Sequence, residues 1–155
     1  MNNVTSTDAA NLLIAVMATP NVKDSVETVR RFRSMQLDEK LSHSFSKQPI
    51  GISTFDRLPT PHTFGEGLAA LVEGVAQKLV AYRPNYFTIA IMQTRLAGSI
   101  QWFYKVGSTN NVYRSAEAPP KLDVQREIRI SQDTIFELGA FVGGFHERFS
   151  NSASR

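Results

Sequence analysis

The most regular hydrophobic pattern in the chain runs from Thr63 to Tyr82. At 100° per residue, Phe64, Leu68, Leu71, Val72, Val75, Leu79 and Tyr82 fall in one arc, with Glu66, Glu73 and Gln77 opposite. That spacing predicts a helix with one face in a core. Thr63 and Glu66 stand at capping-box spacing at its start, where each side chain accepts a bond from an otherwise unpaired backbone N–H. Pro84 disfavours helical geometry at Arg83 and is expected to end the helix there.

Beyond Pro84 the period changes from 3.6 to 2. Tyr86 to Gln93 and Ile100 to Val106 are rich in β-branched and aromatic residues and are separated by Arg95, Leu96, Ala97 and Gly98, which predicts a hairpin. Gly107 to Asn111 reads as a second turn and Val112 to Ser115 as a short third strand. Leu122, Val124, Ile128 and Ile130 share one parity and Asp123, Gln125, Glu127 and Arg129 the other, so a fourth strand with one wet face is expected, although Arg126 interrupts the alternation. Ser131 or Asp133 then caps a closing helix whose Ile135, Leu138, Val142, Phe145 and Phe149 recur at steps of three and four. Gly139, Gly143 and Gly144 lie beside that stripe. Each glycine costs a helix roughly 1 kcal/mol, so another backbone is expected to approach there, and the three are assigned to an oligomer interface.

The N-terminal third is less regular. Residues 1 to 7 read as a flexible arm, followed by a helix capped by Ser6 or Thr7, packed through Leu12, Leu13 and Val16, and ended by Pro20. Asn21 reads as a new N-cap, with Val22, Val26, Val29 and Phe32 at helical spacing. Arg33 projects into that apolar arc, so either the helix breaks near Ser34 and restarts towards Leu37, Leu41 and Phe45, or Arg33 sits at an interface. Residues 46 to 62 form the longest irregular segment, punctuated by Pro49, Gly51, Pro59 and Pro61, and its Ile50, Ile52, Phe55 and Leu58 are expected to pack on the domain's own core or on a neighbouring subunit. Residues 150 to 155 read as a polar tail.

The elements define an α+β fold: N-terminal helices, a small antiparallel sheet of three or four strands, and a C-terminal helix packed on it, within a single globular domain over 8–149. In the first strand, Phe87, Ile89 and Ile91 on one face and Ala90 and Met92 on the other make a nearly apolar segment, the mark of a central strand. Either the 63–82 helix covers one face and the 133–149 helix the other, or the second face is open and shows Tyr86, Thr88, Phe103 and Lys105.

Composition narrows the chemistry. A chain of 155 residues buries roughly 68 to 70% of its unfolded surface, so it needs no staple. The absence of cysteine removes disulfides, thiolate metal sites and cysteine nucleophiles. Leu12 to Ala18 is apolar but too short to span a bilayer, and the residues before it carry Asp8 and no Lys or Arg. Neither a membrane span nor a secretory signal is therefore expected, and an intracellular or virion location is.

Charge is unevenly placed. Between Glu73 and Glu117 there is no acidic residue, while Lys78, Arg83, Arg95, Lys105 and Arg114 fall inside that window, giving it +5 against −2 for the rest of a chain whose net charge is +3. All four tyrosines and the single tryptophan lie there too. Flat rings interleaved with cations let bases stack while phosphates are neutralised, and guanidinium clusters such as Arg30, Arg31 and Arg33 match phosphate oxygens in pairs. The candidate nucleic-acid-binding residues are therefore Arg30, Arg31, Arg33, Tyr86, Arg95, Phe103, Lys105 and Arg114.

The expected function is that of a non-enzymatic structural protein, of coat or nucleocapsid type, which oligomerises and binds nucleic acid, RNA ahead of DNA. A protein-binding regulatory module is the alternative. A phosphoesterase-like enzyme is third, resting on the similar triplets His43-Ser44-Phe45 and His62-Thr63-Phe64 and on His146. No phosphate-binding loop, nucleophile elbow or metal-ligand spacing occurs, and neither a catalytic residue, a cofactor nor a metal is assigned.

Overall fold

The computed structural model describes residues 4–19, 21–44, 48–105, 107–117 and 126–145. Its helices are α1 (Ser6–Ala18), α2 (Ser25–Arg33), the single turn α3 (Ser53–Asp56), α4 (Phe64–Ala76) and α5 (Gln132–Gly143). Its strands are β1 (Gln36–Leu37), β2 (His43–Ser44), β3 (Phe87–Met92), β4 (Ala97–Tyr104), β5 (Gly107–Arg114) and β6 (Glu127–Ser131). All six form one antiparallel sheet in the order β1-β5-β4-β3-β6, with β2 also paired to β5. The α+β class and the order of helices and sheet are as the sequence predicts. The strand count is higher because residues 36–44, where a restarted helix is one of the two expectations, supply two short strands, β1 and β2, separated by a turn and both paired to β5.

Capping explains where the long helices begin. Thr63 Oγ1 accepts the Glu66 N–H at 3.2 Å while the Glu66 carboxylate accepts the Thr63 N–H at 2.7 Å, the expected capping box. The same Thr-x-x-acid device starts α1. There it uses Thr5 with Asp8, at 3.1 and 3.0 Å, in place of Ser6 or Thr7. Ser6 is instead buried, its hydroxyl donating to the Glu73 carboxylate. Ser131 caps α5, accepting the Asp133 N–H.

Helix α4 stops six residues short of Tyr82. Lys78 takes a left-handed conformation (φ 55°), Leu79 N–H bonds Gly74 C=O and Lys78 N–H bonds Val75 C=O, which is a Schellman ending. A lysine fills the position glycine usually takes, so nothing in the composition marks the stop. Leu79 is consequently exposed. Helix α2 ends at Arg33 with Ser34 as its C-cap, the first of the two outcomes open for Arg33, but Val22 and Val26 of its apolar arc are exposed and only Phe32 is buried.

Two strand boundaries differ from expectation. The β3–β4 turn is a single 3₁₀ turn at Gln93–Arg95 closed by Leu96 at φ 44°, so Ala97 and Gly98 already belong to β4. Gly107 to Asn111, read as a turn from its small polar residues, is strand: each of its residues pairs with β4. The irregular 48–62 segment packs inward, with Ile50, Ile52 and Phe55 buried in the core of their own chain.

Helices α1, α4 and α5 form a layer in which α4 packs against both others, and α2 packs against α1 and α4. The sheet meets this layer through Phe87, Ile89 and Ile91 of β3, Ile100 and Trp102 of β4, Tyr113 of β5, and Ile128 and Ile130 of β6, all members of one hydrophobic cluster or packed on it. Phe87 stacks on Phe136 of α5 at 6.5 Å. Gln93 donates its side-chain amide to the last carbonyls of α1, at Met17 and Ala18, satisfying groups a helix end leaves bare. By register all of these sheet residues lie on one face, and both α4 and α5 lie on that side. The alternative in which α5 covers the second face does not occur.

Candidate nucleic-acid interface

The second face follows from the register. Thr88, Ala90 and Met92 of β3 lie level with Gln101, Ser99 and Ala97 of β4. Those lie level with Asn110, Val112 and Arg114 of β5, and on the other side Thr88, Ala90 and Met92 face Ser131, Arg129 and Glu127 of β6. None of these side chains belongs to the hydrophobic core cluster, and among the described residues no helix covers them. Ala90 and Ala97, short side chains between longer neighbours, are buried. The result is a floor of Ala, Ser, Thr, Gln and Asn, with Met92 and Val112 among them. Gln101 Nε2 bonds Ser108 Oγ across it at 3.3 Å, while Asn110 Oδ1 is shielded and has no hydrogen-bond partner among the described residues.

The rim is aromatic and basic. Phe103, on the same parity as Gln101, is 36% exposed and presents an aromatic ring on this face. Lys105 follows it, exposed, beyond the end of β4. At the opposite end Arg95 and Arg126 are exposed and flank a small pocket of about 290 Å³ with Met92, Thr94 and Glu127. The Gln93 N–H to Arg126 C=O bond at 3.1 Å holds those two segments together. Arg114 lies 3.8 Å from the Asp38 carboxylate and Arg129 2.6 Å from that of Glu127. Among the described residues five cations therefore border the face against two carboxylates, and Arg95, Arg126 and Lys105 make no ion pair with any of them. Pairs this exposed contribute little to stability and leave the arginines available to a stronger anion.

The predicted residues separate into groups. Phe103, Lys105, Arg95 and Arg114 are brought to the open face or its rim. Tyr86 is not: it is 3% exposed, its hydroxyl donates to Ile50 C=O, burial pushes that hydroxyl's pKa up, and the Arg83 guanidinium lies 3.7 Å over its ring. Arg30 and Arg31 are not either. They stand on α2 in the helical layer, clamped by Glu27 at 2.7 and 3.0 Å and by Glu117 at 3.5 and 3.2 Å, and their bonds, Arg30's first, hold the Glu27 carboxyl down to about 2. Arg33 is exposed at the rim of a groove between α1 and α4 that it shares with Glu66 and Glu73. Gly139 and Gly143 meet the close approach expected of them inside the subunit: an added Cβ would lie 2.4 Å from Val75 Cβ and 2.6 Å from Ala76 C=O of α4. Gly144 is the left-handed C-cap of α5 at φ 71°.

Arg126 and Arg129 were missing from the predicted set. Arg129 sits on the polar parity of an alternating strand, which is a signal, but its membership of this face depends on which strand β6 joins.

Of the histidines, His62 is buried among aromatic rings, 5.8 Å from Phe55 and 5.5 Å from Tyr113. Its Nδ1 lies 2.9 Å from Pro59 C=O, which can only accept, so Nδ1 carries the proton and Nε2 accepts the Tyr113 hydroxyl at 2.8 Å. Burial pushes the imidazole's pKa down. Both nitrogens are thus engaged in holding the core. His146 lies outside the described residues, as do Phe45 and Phe149 and the terminal segments 1–3 and 146–155. Among the described residues no group of three or more His, Asp or Glu is placed to hold a metal, and no helix is long and apolar enough to cross a membrane.

No family model matches this chain, and no curated protein or solved structure shows significant similarity to it.

Proposed function

We propose that this is a non-enzymatic structural protein, a coat or nucleocapsid-like subunit, that self-assembles and binds single-stranded nucleic acid across the helix-free face of its sheet. The observation that carries the reading is the conjunction on one face of a floor of mostly small side chains, polar and apolar, an exposed Phe103, and a rim of Lys105, Arg95, Arg114, Arg126 and Arg129. Short floor residues let a strand lie close to the backbone, a ring offers a stacking surface to any base, and cations at both ends follow the phosphates. RNA is favoured over DNA because Ser99, Gln101, Thr88 and Asn110 offer donors and acceptors that can meet a 2′-hydroxyl.

The test is fluorescence anisotropy of a labelled single-stranded RNA against the protein over a range of salt, with the DNA of the same sequence beside it. Saturable binding that weakens steeply with salt is expected, because each phosphate contact releases counterions. Binding that is absent at low salt, or independent of salt, overturns the reading.

A second reading has its own observation. Leu12 and Val16 of α1, with Val22 and Val26 after it, are 59, 72, 88 and 82% exposed. Apolar side chains left so bare favour a protein-binding module. In that case RNA binding is absent and replacing Val16 and Val26 by Ser abolishes capture of a protein partner.

A further inference from the structure

The two edges of the sheet are finished differently. The β5 edge is closed by the 36–44 segment: Gln36 and Leu37 pair with Arg114 and Tyr113, His43 and Ser44 with Asn110 and Thr109, and between them Asp38 N–H bonds Val112 C=O at 2.8 Å while Ser42 Oγ accepts the Val112 N–H at 3.0 Å. The β6 edge has none of this. Among the described residues β6 pairs with β3 alone, so one row of its backbone groups is unpaired, a ready template for another strand.

The sequence of that edge says which strand fits. On the open face β6 presents Glu127 and Arg129, exposed and of opposite sign, and on the helical face the half-buried Ile128 and Ile130. A second β6 laid antiparallel and centred on Ile128 sets Glu127 opposite the partner's Arg129 and Arg129 opposite the partner's Glu127, with the two Ile128 side chains abutting below. Shifting the centre by one residue, to Arg129, sets the two arginines opposite each other. Directly opposed opposite charges stabilise a strand pair and like charges destabilise it, so charge selects the first register. The Glu127–Arg129 bond within each subunit is an exposed pair between residues two apart, and exchanging it for two bonds across the edge costs little.

We infer that β6 is a homodimerisation edge, pairing antiparallel with β6 of a second copy about a two-fold axis at Ile128 and joining two sheets into one. This deepens the self-assembly part of the function proposed above by naming its surface. Arg95 and Arg126 flank the start of β6, so pairing brings these two arginines of both copies towards the axis.

Sedimentation velocity on protein freed of nucleic acid by nuclease and high salt tests this separately from RNA binding. Across about 10 to 500 µM, the range expected of a small, transient interface, the wild type should move from the subunit mass of 17.3 kDa towards twice that. R129E leaves two carboxylates on each edge and E127R two cations, so each alone should remain at the subunit mass with an unchanged circular dichroism spectrum. An equimolar mixture of the two restores both charge pairs and should run as a heterodimer, and the double exchange E127R/R129E should regain the homodimer. A wild type that stays monomeric throughout overturns the proposal. So do single variants that dimerise as the wild type does, and a mixture that remains monomeric.

Discussion

The two faces of the sheet are made by the same strands, residue by alternate residue, yet they do different work. The face carrying Phe87, Ile89, Ile91, Ile100, Trp102 and Tyr113 is covered by three helices and belongs to the core. The face carrying Thr88, Ser99, Gln101, Phe103 and Asn110 touches no part of that core. One parity therefore determines whether the chain folds and the other is left for what the protein meets. The contrast teaches that a strand apolar on both parities, as β3 is with Ala90 and Met92, need not be covered on both. Alanine beside serine and threonine is small more than it is hydrophobic, and a flat floor needs small residues.

The sharpest expected contrast is in stability. Ile100 is fully buried and its neighbour Gln101 faces outward. Ile100→Ala is expected to cost about 2 to 5 kcal/mol and Gln101→Ala to stay within about 0.5 kcal/mol, both read by urea unfolding; equal effects mean the faces are not distinct. Gly139→Leu belongs with Ile100→Ala, because its first side-chain atom already overlaps Val75. Loss of the fold, not loss of an oligomer with the subunit intact, is expected.

Binding should show the inverse dependence. Replacing Arg95, Lys105 and Arg114 together by Gln should leave unfolding nearly unchanged while flattening the slope of log K against log salt by about 2, at roughly 0.7 per phosphate contact on a single strand. An unaltered slope removes these residues from the interface. Phe103→Ala should weaken RNA binding by about 1 to 3 kcal/mol, the worth of one stacked base, with little change in salt slope. Replacing Arg30 and Arg31 by Gln, already satisfied by Glu27 and Glu117, should change binding less than the triple variant does.

The smallest effect is a pH dependence confined to the covered face. Burial lowers the His62 pKa below its ordinary value of 6.5, so on acidification the unfolded chain takes up a proton before the folded one does. Stability contributed by this group is complete above 6.5 and declines as the pH falls below it. His62→Gln should abolish that slope in unfolding midpoints measured from pH 7 to 5, whereas RNA affinity of the wild type, corrected for folding, should not follow it.

Much of this is legible in the sequence. The Thr63–Glu66 box, the stripe of α4 and the alternation of β6 over Glu127–Ile130 are local patterns, and local patterns survive folding. What was not legible was set by distant partners. The start of α4 is spelled in its residues, but its end rests on Lys78 accepting a conformation that glycine normally takes. Gly107 to Asn111 has turn composition and becomes strand because β4 and the 36–44 segment supply partners on both sides. Tyr86 has the parity of Thr88, yet lies outside the strand and turns inward to Ile50. The candidate site was half visible for the same reason: Phe103, Lys105, Arg95 and Arg114 lie on or beside the hairpin that the period reveals, while Arg126 and Arg129 reach the face only through β6 pairing with β3, some 35 residues earlier in sequence.

The segment from Gln36 to Ser44, folded over the edge of β5, has a consequence for how far such sheets can grow. A polymer chemist would describe the subunit as monofunctional: of two ends at which another unit could add, one arrives already capped. Chain growth in such a system stops at the first coupling, and the product has a defined length instead of a distribution. Removing the cap, by replacing Ser42 and Leu37 with residues that cannot hold the strap down, would make the unit bifunctional: given the β6 pairing inferred above, the freed β5 edge would supply a second, separate contact through which pairs add into a fibre.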